Sequence, residues 1–206
     1  AGYATPTIAE LQGRRMVLTM SGKALVGVDL ASGKLLFRHE HLTKYDVNAL
    51  KPVFMNDEVF ISSGYGSGSE LIRLTPIDGG IEAKQVWSTK DMDNHHGGVV
   101  VDHGLIFGAS GRGKWVCLDW KTGATKYSED GVGKGSLTYA DGLLYTLSED
   151  GGTVGLVKPS ADGHEVISQF NIPEGGEGKS WAHPVVIGGR LYVRHGDFVY
   201  AFNVRQ

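Results

Sequence analysis

The chain has 206 residues, 41% of them apolar and 21% charged, a composition that excludes an intrinsically disordered protein. Its net charge is −3 and it has no basic run, which excludes an electrostatic nucleic-acid binder. No apolar stretch approaches the ~20 residues that a membrane-spanning helix needs.

The first unit reads as four short strands. Thr7–Glu10 and Met16–Met20 flank the turn Gln12-Gly13-Arg14, Ser21-Gly22-Lys23 leads into a third strand over 24–30, and Ala31-Ser32-Gly33-Lys34 leads into a fourth over 35–39. Gly or Asp stands where the backbone needs a positive φ. The second unit opens at Lys51-Pro52 and is less regular, because a longer Gly/Ser loop over Ser63–Ser69 replaces a tight turn. The third opens at His96-Gly97. It has two strands around Asp102-His103-Gly104, the turn Gly111-Arg112-Gly113, a strand over 114–119, the turn Lys121-Thr122-Gly123 and a last strand ending near Tyr127. The fourth opens at Gly135-Ser136 and turns at Tyr139-Ala140-Asp141-Gly142 and at Glu149-Asp150-Gly151-Gly152. The fifth opens at His183-Pro184 and has strands over 185–187, 191–194 and 198–203, with no fourth. No apolar stripe of period 3.6 runs far enough to predict a helix.

The second residue of each lead-in pair falls at 6, 52, 97, 136 and 184, at intervals of 46, 45, 39 and 48. A repeat of this length built from four strands is the mark of a β-propeller blade. The expected fold is all-β, a propeller of four-stranded antiparallel blades over 5–46, 47–93, 94–132, 133–179 and an incomplete 180–206, about four and two-thirds blades in one segment. The missing outer strand implies that further blades, or another chain, complete a larger ring. The chain begins AGYATP without Met, as a mature or truncated product would, with any export signal already removed. The single cysteine, Cys117, lies in the apolar run KWVCLDW, where it is expected to face packed neighbours.

Two turns carry a family signature. Val28-Asp29-Leu30-Ala31-Ser32-Gly33-Lys34 and Leu118-Asp119-Trp120-Lys121-Thr122-Gly123 resemble the D-x-x-S/T-G-K turn of the pyrroloquinoline quinone (PQQ)-like propeller repeat. That repeat usually ends in a tryptophan; Phe37 and Tyr127 stand near that place here, and Trp87 in the second unit. Each is expected to dock one blade on the next. The stretches NHHGGVVVDHGLIFG, KGSLTYADGLLYTLSEDGGTV and WAHPVVIGGRLYVR are similar to bacterial PQQ-binding-like repeat proteins labelled quinoprotein or polyvinyl alcohol dehydrogenase-like. Their relatives include quinoprotein alcohol dehydrogenases and an outer-membrane assembly scaffold lipoprotein. The resemblance implies a secreted or periplasmic protein and a ring of about seven or eight blades.

Strand order puts the lead-in pairs at one mouth of the ring, together with the turns between second and third strands. His95, His96, His183, Lys51 and Lys134 gather there with Trp181. Tyr65, Arg112, Glu149, Asp150, His195 and Asp197 form the rim. A concave mouth with convergent polar groups is the default ligand site. The two adjacent histidines point to opposite faces of an extended chain, so both are not expected to meet one ligand. His96 could equally bond backbone, with His95 packed under a loop, and the lysines could simply be solvated. No HxH or Cys/His spacing supplies a third metal ligand, so no metal site is expected. Glu149-Asp150-Gly151-Gly152 lacks the alternating oxygens of a calcium loop and reads as a turn.

A quinoprotein dehydrogenase needs a catalytic carboxylate, calcium on the quinone and a stacking platform. This chain has no Cys-Cys pair for such a platform, and no acid in the lead-in columns. The first reading is therefore a ligand- or protein-binding scaffold acting through the mouth. The alternatives are a PQQ- and calcium-dependent alcohol dehydrogenase and a carbohydrate or small-anion binder.

Overall fold

The computed structural model describes residues 2–205; Ala1 and Gln206, the second of which ends the predicted 180–206 blade, lie outside the described residues. Among the described residues it contains 19 strands and no helix, so none long and apolar enough to cross a membrane. The strands form five antiparallel sheets in sequence order, which makes the chain a partial β-propeller. Two compact units divide it, residues 1–95 and 96–206.

The first unit holds two sheets. β1 (Thr7–Leu11), β2 (Arg14–Met20), β3 (Ala24–Asp29) and β4 (Leu35–Glu40) form one, and β5 (Val53–Met55), β6 (Glu58–Ser63), β7 (Gly68–Ile77) and β8 (Gly80–Thr89) the other. After two exposed arginines β2 alternates buried and half-buried positions, while β6 is buried along its whole length. One core joins the two sheets, with Leu18, Leu25 and Phe37 against Val59, Ile61 and Ile72. Phe37 thus fills the docking position predicted for it, and its ring lies over Gly27, where a Cβ would collide with it.

The second unit holds β9 (Val99–Asp102), β10 (Leu105–Ala109), β11 (Trp115–Asp119) and β12 (Thr125–Glu129) in one sheet. β13 (Gly135–Ala140), β14 (Leu143–Ser148), β15 (Thr153–Lys158) and β16 (Glu165–Asn171) form the next. The last sheet has only β17 (Val185–Ile187), β18 (Arg190–His195) and β19 (Phe198–Asn203). Tyr127 is the second docking ring, packed with Trp115 and Cys117 against Leu137 and Leu144 of the following sheet. Burial pushes the Cys117 thiol up to about 12, so it is an inert part of this core. Tyr145, Leu147 and Val154 meet Leu191 and Val193 in a further core.

Every four-stranded sheet carries a register shift between its third and fourth strands, at Gly27/Val28, Leu71/Ile72, Cys117/Leu118 and Leu156/Val157. A repeated bulge adds twist at the same radius of each blade. The signature turns explain their own residue choice. Asp119 Oδ1 accepts from the Thr122 amide at 3.0 Å and its hydroxyl at 2.9 Å, while the Gly123 amide returns to the Asp119 carbonyl at 2.9 Å. Asp29 and Ser32 repeat this at 2.8 and 2.7 Å. Glycine follows because φ is +71° at Gly123 and +72° at Gly33. The Ser32 bonds hold the Asp29 carboxyl below its ordinary value. Replacing Asp119 by alanine is expected to cost about 1 kcal/mol in urea unfolding, and asparagine, which keeps the accepting oxygen, to recover most of it.

Candidate functional site

In the second unit the innermost strands lie side by side, with β13 between β9 and β17. The Leu137 amide bonds the Gly97 carbonyl at 3.3 Å, and Ser136 Oγ bonds the Ala182 carbonyl at 3.2 Å. Gly97 allows this approach, since a Cβ there would strike the Gly135 carbonyl. The residues just before these strands therefore meet at one face.

Glu149 is the hub of that face. It sits in the turn between β14 and β15, held by its amide on the Lys134 carbonyl (2.8 Å) and by its own carbonyl, which accepts from the Ser180 amide (2.9 Å). Its Oε2 accepts from His96 Nε2 at 2.7 Å and Trp181 Nε1 at 3.1 Å and pairs with Lys134 Nζ at 3.2 Å. No described residue donates to Oε1, which is not sealed from solvent. Burial raises the Glu149 carboxyl, but the bonds from His96, Lys134 and Trp181 outweigh it and hold the group below its ordinary value. Burial and the Lys134 charge push His96 down against the pull of Glu149. His96 is accordingly a neutral imidazole donating through Nε2.

Trp181 is the exposed part of the cluster, 58% accessible although its indole N–H is tied to the buried carboxylate. Its ring lies 5.6 Å from His96 at 41°. His183 reaches the same place through backbone, with Nε2 donating to the His96 carbonyl at 3.0 Å. Four of the predicted mouth residues, His96, His183, Lys134 and Trp181, are thus gathered here. His96 bonds a carboxylate rather than backbone, and Lys134 is paired rather than solvated.

The rim residues divide. Glu149 belongs to the centre and not the rim. Asp150 is exposed and paired with Lys179. His195 bonds the Gly178 carbonyl at 2.9 Å, which shapes the loop leading to Trp181. Arg112 and Asp197 are exposed turn residues. In the first unit, His95 packs against the Gly64 loop and meets the Tyr65 ring edge-on at 4.9 Å, as does Tyr45. Tyr65 is held at φ +62° while Asp93 Oδ1 accepts from the Gly66 and Gly68 amides. Lys51 is exposed.

Sequence reasoning missed a second polar centre in the first unit. His41 Nδ1 lies 2.6 Å from Glu70 Oε1 and its Nε2 3.1 Å from Ser63 Oγ; His39 bonds the other Glu70 oxygen at 2.9 Å. Ser63 in turn bonds Asn48 Oδ1, whose amide group holds the Ser21 and Gly22 carbonyls. Burial raises Glu70, but the two histidine bonds bring it down to about 2. Ser63 and His41 are buried, so this Ser–His–Glu line is a structural clasp and cannot act on a substrate. Only long-range contact assembles it, because His41 and Glu70 are separated by 29 residues.

The residues at the Glu149 face do not fit PQQ with calcium. The Lys134 ammonium stands on the carboxylate where a cation would have to bind, and no group of three or more His, Cys, Asp or Glu among the described residues could hold a metal.

Residues 1–129 match the family described as outer membrane protein assembly factor BamB, a PQQ-like repeat family. The chain belongs to that family. It is similar over 97% of its length to the crystal structure of BamB from Moraxella catarrhalis, with a TM-score of 0.69 and 17% identity, and it spans 58% of that protein. It is also similar to the computationally designed Ika4 protein, with a TM-score of 0.53 and 16% identity, over 76% of this chain and 92% of that one. At these identities the likeness is one of fold. No curated protein sequence matches the chain.

Proposed function

We propose that the chain is a periplasmic binding scaffold in outer-membrane protein assembly, and that it captures a protein partner on the face formed by Glu149 and Trp181. The observation that carries this reading is the exposed indole of Trp181, pinned by its N–H to a buried carboxylate. A large ring held in one orientation loses little entropy on binding, and such rings dominate interface energetics. The site spends its polar groups on one another: Lys134 and His96 are both committed to Glu149. The family's description as an assembly factor supplies the process.

Trp181→Ala is expected to weaken capture of outer-membrane assembly components by the purified chain at least about tenfold, with an unchanged thermal midpoint. Capture that survives the substitution removes this face from the reading. The control is Tyr139→Ala, an exposed ring on β13 that takes no part in the cluster.

A further inference from the structure

We propose that Trp181 and the outward oxygen of Glu149 form a receptor for an arginine side chain of the protein partner, an inference that rests on the scaffold reading above. The carboxylate is divided in use. Oε2 carries three donors, and Oε1 carries none from the described residues and reaches solvent. An open carboxylate oxygen is completed only by a donor, so an anionic group is repelled. The exposed indole beside it offers a π face, which favours a flat cation.

Charge points the same way. Lys134 offsets Glu149, and Lys179 offsets Asp150. The loop that leads to Trp181 carries two further acids, Glu174 and Glu177, both exposed. His96 adds no positive charge, being neutral. Between the two cationic side chains, guanidinium fits better than ammonium. It is planar, less strongly hydrated, and can stack on the indole while one N–H reaches Oε1. A bidentate carboxylate pair is ruled out here, because Oε2 is already filled.

The test uses the 15N-labelled chain and reads the indole N–H signal of Trp181, assigned by its loss in Trp181→Phe. N-acetyl-arginine amide is titrated beside its citrulline counterpart, which has the same shape without charge, and beside glucose. The expected result is a saturable shift with arginine at least about fivefold tighter than with citrulline. Glu149→Gln is expected to erase that preference. Its carbonyl can keep the three inward bonds while its NH2 replaces the outward acceptor, so the remaining spectrum stays in place. Equal response to citrulline, no shift with arginine, or a shift with glucose alone overturns the arginine receptor. If any of these occurs while Trp181→Ala still abolishes partner capture, the scaffold reading stands alone. Capture untouched by Trp181→Ala overturns both.

Discussion

Between pH 7.5 and pH 5 the chain is expected to lose about 2 kcal/mol of stability through His164 alone, and about 3 kcal/mol by pH 4. His164 is 8% exposed and stacked on Trp115 at 5.2 Å and 16°. Both ring nitrogens are sealed from solvent without a hydrogen-bond partner. Burial pushes its pKa down to about 4, with Glu129 opposing. Only the neutral ring suits this slot, since a charge there is neither solvated nor paired. The folded value lies below the unfolded one near 6.5. The contribution is therefore complete above about 6.5, erodes as pH falls, and levels off below about 4. Glu70 acts in a different window: held at about 2, it contributes fully above its ordinary value of 4.5 and loses that contribution as pH falls through 2. Urea unfolding of the wild type and His164→Leu at pH 7.5 and pH 5 checks this. The variant is expected to lose about 2 kcal/mol less across the interval. Equal losses in both proteins refute the assignment. The slot needs glycine at 131, where a Cβ would meet both Trp115 and His164.

Glu149→Ala is expected to cost about 2–3 kcal/mol, and Glu149→Gln less than about 1 kcal/mol. Alanine removes the acceptor shared by His96, Lys134 and Trp181. Lys134 is 24% exposed and can regain water, which limits its share of the cost. His96 is only 11% exposed and cannot. Trp181 loses the bond that orients its ring. Glu149→Ala should therefore reduce partner capture as much as Trp181→Ala does, although it leaves the indole in the chain. Denaturant unfolding gives the stability, and capture by the same protein gives the coupling. A destabilised Glu149→Ala that captures normally would separate the hub from the binding face.

The blades were legible because strand, turn and repeat are local properties. The turns at Asp29 and Asp119 are built by side chains three residues away, so their spacing was readable directly. Phe37 and Tyr127 could be picked as docking rings because the repeat places a large residue on each outer strand. Lead-in columns also brought His96, His183, Lys134 and Trp181 to one place. The role of Glu149 was not legible. Its position in the turn between second and third strands pointed to the rim, and nothing local says that the side chain turns inward to meet groups 15, 32 and 53 residues away. His164 gave no signal at all, because its environment is supplied by the preceding sheet.

By itself the sequence determined the strands, the tight turns, the five-fold repetition and the face where the second unit's lead-in residues gather, since alternation, glycine placement and spacing act over a few residues. The tertiary structure alone decided the charge state and pairing of that face. Burial and hydrogen bonding depend on which sheets close around a group: this makes His96 neutral, commits Lys134 to Glu149, and leaves one carboxylate oxygen and one indole facing solvent.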